Sequence, residues 1–520
     1  MTVQPEIAAQ PEYPDKLDAA VLKVAGVVVL GAIMSILDIT VVNVALPVLQ
    51  TAFTSQLHPL AYSTVAWTVT GYTLALATVI PLSGWAADRF GTKRLYMTAV
   101  FLFALGSALC ATATSIQMLI GFRVLQGLGG GMLMPLGMTI MTRAAGPKRM
   151  GRLMAVLGVP MLLGPILGPI LGGWLIQVAS WHWIFLINVP IGAVALVYAW
   201  RALPKDNPQP SESFDFVGMA LLSPGLALFL YGVSSIPGAG TFAAPKVYLP
   251  MAVGAVLMAW FVFHSFAPRH PLLDLRLFRN KELAVSIVTM FLFAGAFFGG
   301  LLLVPTFFQE VRNQSTLHAG LLVAPQGIGA MLTMPIAGAL ADRVPIGRII
   351  PFGLALILAG MFGMTQITAT TGYGTWVAML FVMGLGMGAT MMPLFTAALK
   401  TLRHHEVARA STLLNITQQV ASSCGVAVMS VLLTSHLNST PLAYGAIKAL
   451  KDPSLLDKIG GHAGLVQGLS DAASAFSHTF WVAWVLVAIT LIPTFFLPRR
   501  RQAPPAGDTA EHEVTPVTVP

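Results

Sequence analysis

The sequence predicts an all-α polytopic membrane protein, with two six-helix bundles and two central spans inserted between them. Three observations predict this fold class: an apolar composition, a series of apolar runs that can each cross a bilayer, and an internal repeat. Hydrophobic residues make up 56% of the 520 residues and charged residues only 9%, with a mean hydropathy of +0.77. Because about a quarter of the residues in soluble domains are charged, the composition excludes a soluble globular protein.

Fourteen apolar runs are long enough to cross about 30 Å of hydrocarbon as helices. They are too long and too uniformly apolar to be the strands of a membrane barrel. The first 16 residues lack the basic start and short apolar core of a signal peptide, so we expect the spans themselves to target the chain. The predicted spans lie near 24–47, 60–83, 95–113, 117–142, 152–176, 183–203, 216–234, 247–267, 284–308, 317–340, 349–367, 374–398, 408–435 and 476–497.

The basic residues of the predicted loops lie mainly on one side of the membrane. With loops on alternating sides, 23 of the 29 Lys and Arg residues lie on the side of the N terminus and 5 on the other. We name the side with 23 the basic face. The positive-inside rule places this face, and therefore both termini, in the cytoplasm, and the protein in the cytoplasmic (inner) membrane. The asymmetry also accounts for the net charge of +9 without a nucleic-acid partner.

The sequence predicts no cofactor and no bound metal. Cys110 and Cys424 both lie in apolar runs, where they are interpreted as small core residues and not as a disulfide or a metal site. A nucleotide-driven pump is unsupported, because the chain has no GxxxxGK[ST] loop and no soluble domain that could house one. The expected energy source is the proton gradient, in which each charge moved through the membrane is worth about 2.3 kcal/mol per 100 mV.

Three pairs of similar segments reveal the internal repeat. GWAADRFGTKR at 84–94 and GALADRVPIGR at 338–348 share Gly-x-x-x-Asp-Arg after the second and the tenth span. LQGLGGGMLMP at 125–135 is echoed by MGLGMGATMMP at 383–393, and Arg152 by Arg409, 257 residues further on. Two related six-span halves are typical of transporters, whose binding sites lie near the middle of the bilayer between the halves.

The repeat divides the chain into two bundles, an insertion and two tails. The predicted boundaries are 1–20 for a cytoplasmic N-terminal tail, 21–205 for the N-terminal six-helix bundle, 206–283 for the inserted seventh and eighth spans, 284–498 for the C-terminal six-helix bundle with a polar outer loop at 436–475, and 499–520 for a disordered cytoplasmic tail.

Two charges lie inside predicted spans of the first bundle. Asp38 is the only charged residue of span one, and Arg123 lies within span four. A buried acid costs a few kcal/mol on insertion scales and usually carries a proton, an ion or a cationic ligand; the alternative is an acid that braces the bundle by pairing with a base. At a rise of 1.5 Å per residue the two side chains lie roughly 14 Å and 9 Å from the outer ends of their spans, so we expect contact. Our hypothesis is that Arg123 keeps Asp38 ionised until a proton or a cationic substrate competes for it.

The loop at 84–94 combines small residues, an acid and three bases on the basic face. Glycine permits close helix approach, and an Asp-Arg pair can bind neighbouring helix ends. We expect a gate that holds one conformation closed, with a weaker second copy where fewer basic residues remain; the alternative is an ordinary positive-inside loop. The predicted gate residues are Gly84, Asp88, Arg89, Gly91, Arg94, Asp342 and Arg343.

Span five contains the repeat GPILGPILGG at 164–173. Glycines four residues apart share one helix face and let another helix approach closely, and each proline removes a helical hydrogen bond and permits bending. This pattern favours a tight, bendable interface, and the alternative is a static packing groove. The predicted interface residues are Gly164, Pro165, Gly168, Pro169, Gly172 and Gly173.

Polar and aromatic residues within the spans are candidates for lining a substrate cavity. Each polar residue among them has the alternative role of tying neighbouring helices together. The candidates are Asn43, Trp67, Tyr72, Gln126, Gln326, Asn415, Gln418 and Gln419, and Asn188 is a further polar group of the same kind.

Together these motifs resemble the fourteen-span drug:proton antiporters of the major facilitator superfamily, the EmrB/QacA type. The motifs that carry the resemblance are LDITVVNVALP at 37–47, GWAADRFGTKR at 84–94, RVLQGLGGG at 123–131, GPILGPILGG at 164–173 and WHWIFLINVPIG at 181–192. The resemblance implies the major facilitator fold, alternating access, and export driven by proton influx. It also implies that Asp38 and Arg123 couple proton and substrate, that Asp88, Arg89 and Arg94 form the gate, and that the glycines and prolines of span five form the antiporter interface.

Three functions are compatible with the sequence. The favoured one is proton-coupled export of amphipathic drugs and dyes. The others are export of an endogenous metabolite or lipid, and a membrane sensor without transport. Because no acid lies deep in spans 9–14, we expect monovalent cations or neutral compounds in preference to dications. Some relatives use a periplasmic adaptor, for which the outer loop at 436–475 is the candidate docking site. The other expected partners are a lipophilic small molecule, protons and the lipid bilayer.

Overall fold

The computed structural model describes residues 19–53, 62–145, 150–206, 213–239, 241–268, 270–402 and 406–497, and every regular element in these ranges is a helix. The predicted disordered tail at 499–520 lies outside the described residues, as does the N-terminal tail apart from its last two residues. The described part of the chain therefore has the all-α architecture that the sequence predicts.

The N-terminal bundle contains α1 to α7, of which the short α6 and the longer α7 together form the sixth span. Its helices are α1 Ala19–Phe53, α2 Tyr62–Phe90, α3 Thr92–Ala111, α4 Ile116–Ala145, α5 Met150–Val178, α6 Trp183–Leu186 and α7 Asn188–Ala202. Pro190 has no N–H to donate to the carbonyl of Leu186, which accounts for the interruption of the sixth span just before Asn188.

The insertion and the C-terminal bundle complete the chain. The inserted helices are α8 Phe216–Ala239 and α9 Pro245–His264. The C-terminal bundle contains α10 Lys281–Glu310, α11 Thr316–Arg343, α12 Ile346–Met364, α13 Tyr373–Lys400, α14 Val407–Asn438, α15 Pro441–Lys451 and α16 Gly461–Thr494. Short 3-10 turns lie at Leu275–Arg279, Pro453–Leu455 and Asp457–Ile459.

Among the described residues, 13 helices are long and apolar enough to cross a membrane, and each overlaps a predicted span. The remaining predicted span, at 152–176, coincides with α5, which is 29 residues long. Thirteen of the fourteen predicted spans are therefore confirmed, and the fourteenth lies on a helix long enough to cross a bilayer. Several helices extend beyond their predicted spans; α1 has 35 residues, because apolarity marks the part of a helix in hydrocarbon and not its full length.

The segment at 436–475, predicted as a polar outer loop, is helical over most of its length. It includes the end of α14, the whole of α15 and the beginning of α16. Ala443 and Ala446 of α15 are fully buried, and a Cβ at Gly468 of α16 would lie 2.6 Å from the Cβ of Ala446. Small residues therefore allow two helices to pack here, although their low apolarity gave no span signal.

Glycines of α4 bring three helices of the N-terminal bundle close together. A Cβ at Gly127 would lie 2.5 Å from the carbonyl oxygen of Tyr72 in α2, and one at Gly129 would lie 2.6 Å from the backbone nitrogen of Phe103 in α3. In the C-terminal bundle, a Cβ at Gly384 of α13 would likewise collide with the backbone of α11. The repeated glycine-rich segments thus perform the same packing role in both bundles.

The two bundles touch in the halves of their helices that lie nearest the basic face. The hydroxyls of Ser83 in α2 and Thr412 in α14 are 3.0 Å apart. On the other side of the molecule, a Cβ at Gly158 of α5 would collide with Met334 of α11. The inserted α8 lies beside the first of these contacts, because Ser223 donates to the Thr78 carbonyl of α2 at 2.7 Å. These contacts define two seams, α2–α14 and α5–α11.

Candidate functional site

Asp38 and Arg123 form an ion pair inside the N-terminal bundle. Both side chains have 0% exposure, and Nη1 of Arg123 lies 2.5 Å from Oδ2 of Asp38. The contact that we expected from their depths in the membrane is therefore present. An isolated charge is very unfavourable in a low-dielectric interior, so each charge depends on the other and on nearby dipoles.

Two side-chain amides complete the surroundings of the Asp38 carboxylate. Nε2 of Gln126 in α4 donates to Oδ1 at 2.8 Å, and Nδ2 of Asn188 in α7 donates to the same oxygen at 3.2 Å. Asp38 of α1 thus accepts three hydrogen bonds from two helices: from Arg123 and Gln126 of α4 and from Asn188 of α7. Donors to both carboxylate oxygens substitute for water around a buried negative charge.

Arg123 is held by its own set of contacts. Its Nε donates to the Thr68 carbonyl at 3.0 Å, and its Nη1 also donates to Oε1 of Gln126 at 2.6 Å. Its guanidinium carbon lies 4.2 Å from the ring centroid of Tyr72, a distance at which the ring face attracts a cation. The guanidinium is therefore fixed in position, although its Nη2 makes no hydrogen bond within the described residues.

Ser107 of α3 links the two amides that contact Asp38. Its hydroxyl accepts from Nε2 of Gln126 and from Nδ2 of Asn188, both at 3.0 Å, and donates to the Phe185 carbonyl at 3.1 Å. Sequence reasoning missed Ser107, because a serine in an apolar span is too common to signal a site. Asn188 was identified only as a polar group of span six, without a partner.

The glycines of α5 pack directly on α1 around Asp38. A Cβ at Gly164 would collide with Ile36, and a Cβ at Gly168 with Thr40. Thr40 also donates to the Gly164 carbonyl at 3.1 Å. The predicted close interface is thus observed, and its partner is the helix that carries Asp38.

Two further members of the predicted α5 interface differ from these. A Cβ at Gly172 would lie 3.2 Å from Cγ1 of Val41 in α1, whereas a Cβ at Gly173 would meet nothing within 4 Å. Gly173 therefore lies off the α1 contact, one residue around the helix from Gly172. The backbones of Pro165 and Pro169 lie within α5, and their side chains are outside the described residues.

The first gate segment joins α2 to both bundles at the basic face. Nη2 of Arg143 in α4 donates to Oδ1 of Asp88 at 2.9 Å. A Cβ at Gly84 would lie 3.1 Å from the hydroxyl of Thr412 and 3.4 Å from Cα of Arg409, both in α14. Gly84 thus permits close approach between the bundles, and Asp88 pairs with a base that was not among the predicted gate residues.

Gly91 and Asp206 shape the turn between α2 and α3. Gly91 has a φ of +92°, which disfavours residues with a Cβ. The Asp206 carboxylate accepts from the backbone N–H of Lys93 at 2.8 Å and of Arg94 at 3.0 Å, so it caps the start of α3. The Arg94 side chain is exposed and that of Arg89 is half-buried.

The second gate segment lies at 338–348. Arg343 is exposed, and the Asp342 side chain lies outside the described residues. Nζ of Lys400 lies 3.4 Å from the Ala341 carbonyl. Ala341 of this segment thus contacts Lys400 of α13 through its backbone carbonyl.

The candidate cavity residues fall into separate environments. Tyr72 and Gln126 are fully buried within the Asp38 network, and Gln326 is buried in the C-terminal bundle with no partner for Oε1 in the described part of the chain. Trp67 stacks on Tyr231 of α8 with ring centroids 5.6 Å apart. The remaining candidates are the exposed Asn43 and the half-buried Asn415, Gln418 and Gln419.

Asn415 shows which way the amide-bearing face of α14 points. Its Nδ2 lies 3.2 Å from the sulfur of Met138 in α4, so this face is directed at the N-terminal bundle. Gln418, Gln419 and Ser422 follow at helical spacings of three to four residues. The structure thus brings these residues together on one face, apart from Tyr72 and Gln126.

The described residues contain no group of three or more His, Cys, Asp or Glu side chains placed to hold a metal ion. Cys110 and Cys424 are both free thiols.

Comparisons with known proteins agree with this architecture. The model of the Major Facilitator Superfamily matches residues 28–426. The chain is 48% identical over 516 residues to the multidrug resistance protein B homolog of Mycobacterium tuberculosis, covering 95% of this chain and 93% of the relative. It is 32% identical over 412 residues to the putative multidrug resistance protein MdtD of Escherichia coli, covering 78% and 85%.

Two solved structures have a similar fold at low sequence identity. The human organic anion transporter MFSD10 matches with a TM-score of 0.60 and 17% identity, covering 91% of this chain and 100% of that one. The proton:xylose symporter XylE matches with a TM-score of 0.56 and 14% identity, covering 91% and 96%. The chain therefore belongs to the Major Facilitator Superfamily and is a membrane transporter of small molecules, not an enzyme.

Proposed function

We propose that the protein is a proton-coupled antiporter that exports amphipathic drugs and dyes, either monovalent cations or neutral compounds, through the cytoplasmic membrane by alternating access. The observation that carries the proposal is the fully buried Asp38–Arg123 ion pair. A group that gains and loses a proton inside a membrane transporter can link the proton gradient to a conformational change. The names of the two relatives support drugs as the substrate class.

Protonation of Asp38 changes the balance of charge in the network. The proton neutralises the carboxylate and leaves Arg123 as a buried cation without an anionic partner. Such a cation is unfavourable until the surrounding groups rearrange. The protein then favours an arrangement of α1 and α4 that differs from the one with the ion pair intact.

The α5 glycines offer a route from this network to the bundle interface. Gly164 and Gly168 contact α1 on either side of Asp38, and Gly158, nearer the basic face, contacts Met334 of α11. A displacement of α1 would therefore also displace α5, which forms the α5–α11 seam. Tightly packed helices transmit such displacements because they have few voids to absorb them.

The gate acts at the α2–α14 seam. Opening a pathway to the basic face requires separation of Gly84 from Thr412 and loss of the 3.0 Å contact between Ser83 and Thr412. The Asp88–Arg143 pair fixes the end of α2 against α4, so that α2 moves together with the N-terminal bundle. We assign the gate role to Asp88 and Gly84 on this basis.

The amide face of α14 is the best supported wall for substrate. Gln418 and Gln419 are half-buried and follow Asn415 on the face directed at the N-terminal bundle. The acids of α10 to α14 occur only at or next to helix ends, at Glu282, Glu310, Asp342 and Glu406. A wall of neutral amides suits ligands that need hydrogen bonds but no second negative charge, which favours monovalent or neutral substrates over dications.

Transport by purified protein in liposomes tests the proposal. Vesicles containing wild-type protein or Asp38→Asn receive an imposed proton gradient, while ethidium movement and internal pH are recorded together. We expect ethidium movement with proton counterflow in the wild type and loss of both in Asp38→Asn. The matched control is Asp471→Asn, which alters a half-buried acid of α16 that accepts a hydrogen bond from Gln467 and should transport normally.

Two results would contradict the proposal. Proton-driven transport that persists in Asp38→Asn would make Asp38 a structural brace. No movement across a broad panel of dyes would favour export of an endogenous metabolite or lipid. Omitting or adding a periplasmic adaptor in the same assay would test whether the helical segment around α15 serves as its docking site.

A further inference from the structure

Two residues outside the ion pair belong to the network on Oδ1 of Asp38: Asn188 donates to that oxygen, and Ser107 accepts from both amides that donate to it. Asn188 follows the interruption of the sixth span, within the motif WHWIFLINVPIG, and Ser107 lies in α3. Asn188 is 2% exposed and Ser107 is 0% exposed. The motif therefore delivers an amide to the Asp38 network from a helix that carries neither charge of the ion pair.

The hydroxyl of Ser107 uses its full hydrogen-bonding capacity. Its proton goes to the Phe185 carbonyl, and its two lone pairs accept one N–H each from Gln126 and Asn188. A hydroxyl offers one donor and two acceptor positions, so this orientation is fixed. Because each amide nitrogen has one hydrogen on Ser107, its other hydrogen is directed at Oδ1 of Asp38.

The carboxylate thus has two differently supported oxygens. Oδ2 is paired with Arg123 at 2.5 Å, and Oδ1 is held by the amides of Gln126 and Asn188 at 2.8 and 3.2 Å. Hydrogen bonds to an ionised group are stronger than those between neutral groups. Losing an amide donor therefore weakens the hold of the network on negative charge at Asp38.

We propose that Ser107 and Asn188 are positioning residues of the proton site: they hold two amide donors on Oδ1 of Asp38 and thereby set the pH at which Asp38 exchanges its proton. The inference rests on the proposed function. It assigns the sixth-span motif a role in proton coupling. Arg123 pairs with the negative charge of Asp38, and the two amides adjust how strongly that charge is stabilised.

The other titratable and charged groups around Asp38 are few. Arg123 approaches from α4, Tyr72 from α2 and Cys110 from α3. The hydroxyls of Tyr72 and of Ser35 in α1 form a hydrogen bond of 3.3 Å. Gly164 and Gly168 of α5 pack on α1 on either side of Asp38, and Asn188 approaches from α7; none of the three is charged. Substitution of Asn188 removes a donor to Asp38, and substitution of Ser107 removes the hydroxyl that orients both amide donors; either change leaves the charged groups in place.

The test measures the pH dependence of coupled exchange in liposomes for four variants. Asn188→Leu keeps the approximate volume and removes the donor, and we expect the pH of half-maximal exchange to rise by about one unit. Ser107→Ala should shift it in the same direction by less, because each amide keeps its bond to Asp38. Ser107→Thr, which retains the hydroxyl, should restore the wild-type profile.

Ser286→Ala is the matched control. Ser286 lies in α10, is fully buried, and has no hydrogen-bond partner for its hydroxyl among the described residues. We expect its pH profile to equal that of the wild type. Thermal unfolding of each variant identifies any that fails to fold; if Asn188→Leu does, the comparison of Ser107→Ala with Ser107→Thr tests the inference.

Infrared difference spectroscopy separates this inference from the proposed function. The protonated carboxyl band that disappears in Asp38→Asn reports the titration of Asp38 without transport. A band that titrates in the wild type and moves to higher pH in Asn188→Leu supports the inference. A band that titrates at the same pH in the wild type, Asn188→Leu and Ser107→Ala overturns it and leaves the antiport proposal intact. An Asp38 band that never titrates overturns the proposed function itself.

Discussion

In the N-terminal bundle the middle of α1 carries Asp38, whereas the middle of α10 in the C-terminal bundle, at the point where that helix packs on α14, carries Phe297. Asp38 is flanked on α1 by Ile36 and Thr40, which contact the glycines of α5. Phe297 is flanked on α10 by two glycines that contact α14, the repeat counterpart of α5. One bundle thus buries an ion pair where the other buries an aromatic ring.

The surroundings of Phe297 are apolar. Its flanking glycines, Gly295 and Gly299, approach the backbone of Gly425 in α14. Phe297 is 1% exposed, and it stacks on Phe293 with ring centroids 5.2 Å apart and an interplanar angle of 23°. Asp38 accepts hydrogen bonds from three polar side chains, whereas the packing around Phe297 depends on shape complementarity.

The counterpart of Arg123 shows the same difference. In the alignment of LQGLGGG with MGLGMGA, Arg123 corresponds to Phe381 of α13. Phenylalanine thus occupies the position aligned with Arg123, and Phe297 occupies a packing position comparable to that of Asp38. Under the proposed function, proton exchange takes place at Asp38 in the N-terminal bundle, and we infer that the C-terminal bundle responds through packing.

The largest expected effect comes from removing one or both charges of the ion pair, which distinguishes the contribution of charge from that of packing. Arg123→Met leaves Asp38 buried without its partner, and we expect the free energy of unfolding to fall by about 3–5 kcal/mol. The double variant Asp38→Asn/Arg123→Met removes both charges and should recover most of that loss without recovering proton coupling. Thermal unfolding in detergent and transport in liposomes measure the two properties.

Phe297→Leu is the matched change in the second bundle. We expect it to lower the free energy of unfolding by about 1 kcal/mol and to leave the pH dependence of transport unchanged. A displaced pH profile in Phe297→Leu would show that the C-terminal bundle takes part in the proton chemistry, and the contrast between the bundles would then be lost.

The glycine contacts of α5 and α14 provide a second, smaller comparison. A Cβ at Gly425 would collide with the backbone of α10, whereas a Cβ at Gly168 would collide with the Thr40 side chain. We expect Gly425→Ala to lower the free energy of unfolding by about 1–3 kcal/mol and Gly168→Ala by less, because a side chain can shift. Transport should nevertheless be impaired in Gly168→Ala, since Thr40 is two residues from Asp38.

Gly173→Ala is the control for both, because its added methyl would meet nothing within 4 Å. Replacing a helical glycine with alanine in open space should raise stability by up to about 1 kcal/mol. Equal losses in Gly168→Ala and Gly173→Ala would contradict the assignment of Gly168 to the α1 interface. Differential scanning fluorimetry resolves these differences.

The smallest expected effect concerns the two gate segments. Asp88→Asn breaks a half-buried pair with Arg143 at 2.9 Å, and we expect a loss of up to about 1 kcal/mol in stability together with slower transport. Arg343→Gln alters an exposed residue of the second copy and should leave both unchanged. Equal effects on the transport rate would show that the two gates are equivalent, contrary to the weaker second gate that the sequence predicts.

How far each feature could be predicted depends on how strong its local signal is. Asp38 and Arg123 could be found because a charge inside an apolar run is costly and rare. Ser107 and Thr68 could not, because a hydroxyl or a backbone carbonyl in a span has no distinctive pattern. Their roles depend on contacts with residues that lie far away along the chain, such as the 3.0 Å bond from Arg123 to the Thr68 carbonyl, 55 residues apart.

The segment at 436–475 is a region where the local sequence signal was misleading and not merely weak. Its polar and small residues suggested a loop, yet Ala443 and Ala446 are fully buried in a helix against α16. Small side chains contribute little to apolarity but allow close helix packing. Secondary structure in this segment was therefore decided by a contact that becomes visible only when α15 and α16 are placed side by side.

The sequence by itself determined the membrane class, the fourteen spans, the two-bundle repeat and the identity of the two buried charges, because burial in hydrocarbon constrains composition residue by residue. Only the tertiary structure decided which groups surround those charges, that the α5 glycines contact the helix carrying Asp38, and that Arg143 is a partner of Asp88. These contacts join separate helices, and their energies depend on distances and directions that no single segment of the chain specifies.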